Sequence, residues 1–209
     1  MKLTVFGATG GIGTQVVRQA LDAGHEVVAV VRDPARLDVP ARPGLTVVRA
    51  DVMDPEAIGP AVDGADAVVS ALGPRPGGPV TVNSDGIRAI LQAMDKAGVR
   101  RVVVVSAAGA FTEPTDGTVS RLIVKPLLQR ILREGMADTR RMEQDVREST
   151  AEWTLVRPPR LTNRAGRGRY RTAIDRHVGT SIARADVAGA ILNALGNPAT
   201  AGHTVGIGN

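Results

Sequence analysis

Near the start of the 209-residue chain, Val5-Phe6-Gly7-Ala8-Thr9-Gly10-Gly11-Ile12-Gly13 places glycines at 7, 10 and 13 in the spacing G-x-x-G-x-x-G. The run follows an apolar strand pattern and opens a helical one, the context in which such a pattern carries chemistry. Gly7 permits a tight turn, Gly10 lets the backbone approach a pyrophosphate, and Gly13 lets helix and strand pack closely. Thr9, Gly10, Gly11 and Ile12 then surround a helix N-terminus whose free N–H groups and positive dipole end suit phosphate. The chemistry indicated is dinucleotide binding.

Residues at later strand ends fit the same ligand. The second strand ends Val31-Arg32-Asp33. In a dinucleotide site an acid here reads a free ribose 2′-OH, and an arginine accommodates a 2′-phosphate. Arg32 at the tip, with Arg36 one turn later, points to NADP(H). Asp33, 20 residues past Gly13, is the counter-argument, unless it caps the turn that opens at Pro34. The third strand ends at Asp51-Val52, where a carboxylate either accepts from the adenine amino group or caps the next segment. The fourth ends Ala71-Leu72-Gly73, small enough for a ribose and phosphate to lie on the backbone. Ser106-Ala107 ends the fifth, and Ser106 is the one catalytic candidate, a hydroxyl near the expected nicotinamide or a buried structural serine. Pro158, after the sixth, would shape the nicotinamide wall, with backbone carbonyls free to hold the carboxamide.

The elements that position these residues are strands at Leu3–Ala8, Glu26–Arg32, Leu45–Asp51, Ala67–Leu72, Arg101–Ala107 and Trp153–Arg157. Near-continuous valine at 27–31 and 102–105 reads as strand buried on both faces, the habit of parallel sheets. Helical patterns lie between them at Ile12–Ala23, Pro55–Val62, Val82–Ala97 and Asp138–Ser149, with Gly24 and Gly98 at C-cap positions. A last helix at Asp186–Leu195 and a short strand at Thr204–Ile207 complete the chain. Alternation of this kind predicts a doubly wound α/β parallel sheet, a single Rossmann domain over 1–209 with a small C-terminal substrate-side segment. Two irregular stretches, 73–80 and the arginine-rich, lid-like 158–183, leave the carboxyl edge where such sheets bind ligands.

Composition excludes other chemistries. There is no cysteine, hence no disulfide, thiolate metal site or cysteine nucleophile, and the three histidines are far apart. Four aromatic residues are too few for a single-strand nucleic-acid platform. The formal charge of +5 is uneven: residues 1–120 carry 11 basic and 13 acidic side chains, and residues 121–184 carry 15 and 7. Arg160, Arg164, Arg167, Arg169, Arg171 and Arg176 form either a solvated basic loop or an anion-binding lid. No apolar run reaches 18 residues and no leader pattern precedes the first strand, so a cytoplasmic protein that engages neither membrane nor nucleic acid is expected. The oligomeric state is not legible.

The chain resembles the atypical short-chain dehydrogenase/reductases, close to the NmrA-like and biliverdin-reductase-B/flavin-reductase-like NAD(P)H-binding proteins. GATGGIG, VVRDPARL, ADVMD, AVVSALG, RRVVVVSAAG, RRMEQDVRESTAEWTLVRPPRLTN and IARADVAGAIL carry the resemblance over nearly the whole length. It implies a Rossmann domain with NADP(H) over the strand ends and a variable pocket built from C-terminal segments. Catalytic branches of that superfamily carry Ser and Y-x-x-x-K. Here the serine place falls on Ala108, the tyrosine place on Met136 and the lysine place on Arg140, and an arginine cannot supply a lysine's adjustable pKa. Tyr170, the sole tyrosine, has no lysine at that spacing, Lys125 is on another segment, and His177 is a lone histidine.

The expectation is therefore an NAD(P)H-dependent reductase that passes hydride to a small conjugated acceptor such as a flavin or quinone, without a Ser/Tyr/Lys triad. The arginine-rich segment would meet an anionic group on that acceptor. The alternative is a non-catalytic NADP-sensing regulator of NmrA type. A nucleotide-sugar epimerase fits less well, since the chain leaves little room for a sugar-nucleotide domain.

Overall fold

The computed structural model describes residues 1–75, 77–111 and 133–209. The described residues form ten strands: β1 (Lys2–Phe6), β2 (Glu26–Val31), β3 (Leu45–Arg49), β4 (Ala67–Ser70), β5 (Arg101–Val105), β6 (Glu152–Arg157), β7 (Arg160–Thr162), β8 (Arg171–Ile174), β9 (Ser181–Ala183) and β10 (His203–Gly208). The helices are α1 (Gly11–Asp22), α2 (Pro55–Val62), α3 (Val82–Ala97), α4 (Arg133–Glu148) and α5 (Arg184–Leu195).

Eight strands build one sheet in the order β3-β2-β1-β4-β5-β6-β10-β8. Every pair is parallel except β10–β8, which is antiparallel. Strand β7 pairs with β9 in a separate two-stranded sheet. The arrangement is the doubly wound Rossmann fold, and it reverses direction between β1 and β4.

Burial on both faces explains the valine runs. Successive strand residues point to opposite faces. Val27, Ala29 and Val31 of β2 join one core cluster with α1 and α5, and Val28 and Val30 join the other with α2, α3 and α4. Val103 of β5 goes to the first, and Val102 and Val104 to the second. Each fully buried valine contributes on the order of 1.5–3 kcal/mol, enough to override weak local preferences.

Several boundaries differ from the sequence reading. Strands β1, β3, β4 and β5 stop two residues earlier, because the chain turns there into the ligand-side loops; Ala71 N–H still reaches the Phe6 carbonyl at 3.0 Å. Helix α4 already runs at Arg133, where the described residues resume, five residues before Asp138. The segment 158–183 is less of a loop than expected. Strands β7 and β9 pair with each other, and β8 extends the main sheet as its antiparallel edge.

Candidate functional site

The first turn of the chain is built by contact. Gly7 adopts φ +76°, and Gly13 stands so close that a Cβ there would overlap the Gly7 carbonyl and press on Ala8 Cα at 2.9 Å. Gly7 thus makes the turn, and Gly13 of α1 rests directly against it. Gly10 differs in part, since an added Cβ would meet the Gly7 carbonyl at 3.1 Å. The residue is held small by its own turn, whatever ligand lies above it. Gly10 is the N-cap of α1, offers no side-chain cap, and is followed by a first turn without acidic residues, so the positive helix end stands uncompensated.

Above this turn lies a cavity of about 560 Å³ at the carboxyl ends of β1, β2, β4 and β5. Of the residues expected from sequence, Gly7, Thr9, Gly10, Gly11, Ile12, Arg32, Asp51, Val52, Ala71, Leu72, Gly73, Ser106 and Ala107 line it. Gly13 and Pro158 do not. Gly13 packs beneath the turn. Pro158 is buried, and its carbonyl, expected to be free for a carboxamide, accepts from Ala108 N–H at 3.0 Å. Asp33 also stays off the lining: its carboxylate accepts from Ala35 N–H at 3.1 Å and caps the short turn Pro34–Arg36. Asp51 keeps both readings. It lines the cavity, and one oxygen accepts from Met53 N–H at 3.1 Å.

Sequence reasoning missed Arg75 and Arg184, both of which line the cavity. Arg75 leaves the irregular stretch after β4 and donates to the Thr9 hydroxyl. Burial, and then the neighbouring charges of Arg36 and Arg32, hold its guanidinium below the ordinary arginine value. The described residues give none of these three an ion-pair partner, so unneutralised positive charge collects at the end of β2. Arg184 crosses the start of α1, where a Cβ on Gly11 would meet its Cδ at 2.7 Å, and donates to Asn163. It also borders a second, more open depression lined by Arg18 and Arg164. The other five exposed arginines expected as a lid border neither space.

At the far end, Ser106 Oγ donates to Glu143 Oε1 at 2.5 Å. Glu143 is fully buried, also accepts from Arg157 at 2.8 and 2.6 Å, and forms an ion pair with Arg147 at 2.8 Å. Thr139 and Asn83 stand on the same wall. The buried Asn83 Oδ1 has no partner among the described residues, an orphaned acceptor that a donor-bearing ligand would satisfy.

The three triad places are occupied otherwise. Ala108 is buried, Arg140 Nε donates to the Ala110 carbonyl at 2.8 Å, and Met136 lies on α4. Tyr170 accepts from Asn193 Nδ2 at 2.8 Å beside α5 and is not part of the cavity wall. Its phenol is pushed up by burial, with the Asn193 hydrogen bond opposing and Asp186 adding to the rise. His177 is likewise off the wall, and Lys125 lies outside the described residues.

A glycine-rich turn at an open helix end, beneath a cavity at the sheet's switch point, is a nucleotide cradle, and the sequence profile described as NAD(P)H-binding matches residues 7–198. The chain belongs to the NAD(P)H-binding family. Among its relatives is the photosystem II assembly factor Ycf39 of Synechocystis, 34% identical over 117 residues, which are 54% of this chain and 36% of that protein. The chain thus spans about a third of that relative's length. The fold is shared with a short-chain dehydrogenase/reductase from Veillonella parvula in complex with NADP (TM-score 0.80, 21% identity, 100% of this chain and 94% of that one). It is shared equally with ChuY, an anaerobilin reductase from Escherichia coli O157:H7 (TM-score 0.80, 21% identity, 99% and 97%). Among the described residues, no helix is long and apolar enough to cross a membrane.

Proposed function

We propose that this member of the NAD(P)H-binding family binds NADP(H) and reduces a small conjugated acceptor, of the flavin or quinone kind, without a side-chain proton donor. The observation that carries the reading is the cavity's continuity. It runs from Arg32 at the end of β2, across the glycine-rich turn, to Ser106 and Thr139 at the other end. The residues present fit the cofactor. The open end of α1 and the guanidinium of Arg184 suit a pyrophosphate, Arg32, Arg36 and Arg75 suit a 2′-phosphate, and Asn83 offers an unsatisfied acceptor.

When bound, the reduced cofactor supplies a hydride, which with one proton from solvent completes a two-electron reduction of the acceptor. The chain's part is to hold the two partners in register and to line the space with Leu72, Val82 and Leu161. The test is NADPH consumption with a panel of flavins and quinones beside secondary alcohols with NADP⁺. Turnover of the first class alone supports the reading; alcohol oxidation alone would overturn it.

A second reading, dinucleotide binding without turnover, is favoured by the likeness to Ycf39, a protein named for assembly. Tight NADPH binding with no turnover on any acceptor would decide for it.

A further inference from the structure

Ser106 and Thr139 line the end of the cavity beside β5 and α4, and the hydroxyls of both have spent their hydrogens elsewhere. Ser106 Oγ is 2.5 Å from a carboxylate oxygen of Glu143. A carboxylate only accepts, so the hydrogen in that contact is the serine's. Two guanidiniums lie on Glu143: Arg157 at 2.8 and 2.6 Å and Arg147 at 2.8 Å. Thr139 Oγ1 in turn donates to the Gly135 carbonyl at 3.0 Å. Ser106 is also fixed through its backbone, N–H to the Val156 carbonyl at 2.8 Å. Towards the cavity, then, Ser106 and Thr139 present lone pairs. The nearby Pro158 carbonyl is engaged by Ala108 N–H.

We infer that Ser106, oriented by the buried Glu143, recognises a hydrogen-bond donor, and that this donor is the carboxamide amine of the nicotinamide. Glu143 is a positioning residue, acting through Ser106 without touching the ligand. The same geometry bars Ser106 from protonating a reduced acceptor, because its one hydrogen is directed at the buried Glu143. The inference rests on the proposed NADP(H) binding and deepens it.

Equilibrium binding without turnover tests it. The probes are NADP⁺ and its 3-acetylpyridine analogue, which keeps the ring carbonyl and replaces the amine by a methyl group. The wild type is expected to bind NADP⁺ about threefold to tenfold more tightly than the analogue, the worth of one hydrogen bond. Ser106→Ala should bring the two ligands to near parity, and Ser106→Thr should keep the preference. In Glu143→Gln the amide oxygen can keep the place that faces Arg157 Nη2 and Arg147, and the amide nitrogen takes the other, where it gives up the Arg157 Nε bond and donates to Ser106, turning the serine's hydrogen to the cavity. The preference should then shrink or reverse with the fold intact by circular dichroism. If that variant does not fold, the Ser106→Ala and Ser106→Thr pair decides alone. Binding of NADP⁺ with a ratio unmoved by Ser106→Ala would overturn this inference and leave the cofactor assignment standing. Failure of the wild type to bind NADP⁺ would overturn both.

Discussion

Asp138 of α4 caps the N-terminus of α3 from across the molecule: its carboxylate accepts from Asn83 N–H at 3.0 Å, Ser84 N–H at 3.2 Å and Ser84 Oγ at 2.5 Å. Thr81, the residue at the N-cap itself, makes no side-chain cap. The fully buried Asp138 therefore does the work that a local residue usually does. Asp138→Ala is expected to cost about 2–3 kcal/mol, since it strands buried donors, and Thr81→Ala less than about 0.5 kcal/mol. Urea denaturation of the two variants checks the contrast, and equal losses would refute it.

The arginine cluster should set cofactor choice. A charge-assisted contact contributes roughly 1.5–3 kcal/mol, so Arg32→Ala is expected to weaken NADPH about tenfold to a hundredfold. NADH, which lacks the 2′-phosphate, should change far less. Arg75→Ala should weaken NADPH as well. Both losses should diminish with added salt, because the contacts are ionic. Titration with each nucleotide measures this, and a wild-type preference for NADH would reverse the assignment in favour of Asp33.

Tyr170→Phe should leave both NADPH affinity and the turnover of any acceptor within about twofold, because a phenol outside the cavity wall lacks the hydrogen-bond reach that acid–base work needs. Complete loss of turnover in a folded, NADPH-binding variant would contradict the proposed chemistry.

Acid stability should depend on the edge of the sheet. Burial pushes the Asp175 carboxyl up, but hydrogen bonds from His203 and Thr204 N–H and the charges of His203 and Arg147 outweigh it, so the group sits below its ordinary 3.8. A depressed carboxyl stabilises the fold above its unfolded value and loses that contribution as pH falls through its folded one. The loss is thus expected below about pH 4. Asp175 holds φ 53°, which asparagine tolerates, so Asp175→Asn keeps the backbone while removing the ionisation. Stability measured between pH 6 and pH 3 should fall less steeply in that variant than in the wild type.

Local pattern by itself determined the fold class and one end of the site. Valine runs buried on two faces, helical stretches between them and a glycine spacing with its own steric logic are properties of neighbouring residues, so the Rossmann sheet, the turn at Gly7–Gly13 and Arg32 were legible in the chain. The other end was decided by tertiary structure. Arg75, Arg184, Asn83 and Thr139 reach the cavity only because loops and helices distant in sequence fold over it, and nothing in their spacing marks them. Ser106 shows the difference most clearly. Its place at a strand end was readable, but whether it offers a hydrogen or a lone pair depends on Glu143, 37 residues away and held by two arginines. Hydrogen-bond direction is settled by the partner, and the partner is settled by packing. Asp138 carries the same lesson: it reads as the start of its own helix and instead caps another, because the backbone donors it satisfies belong to a neighbour brought alongside by the sheet.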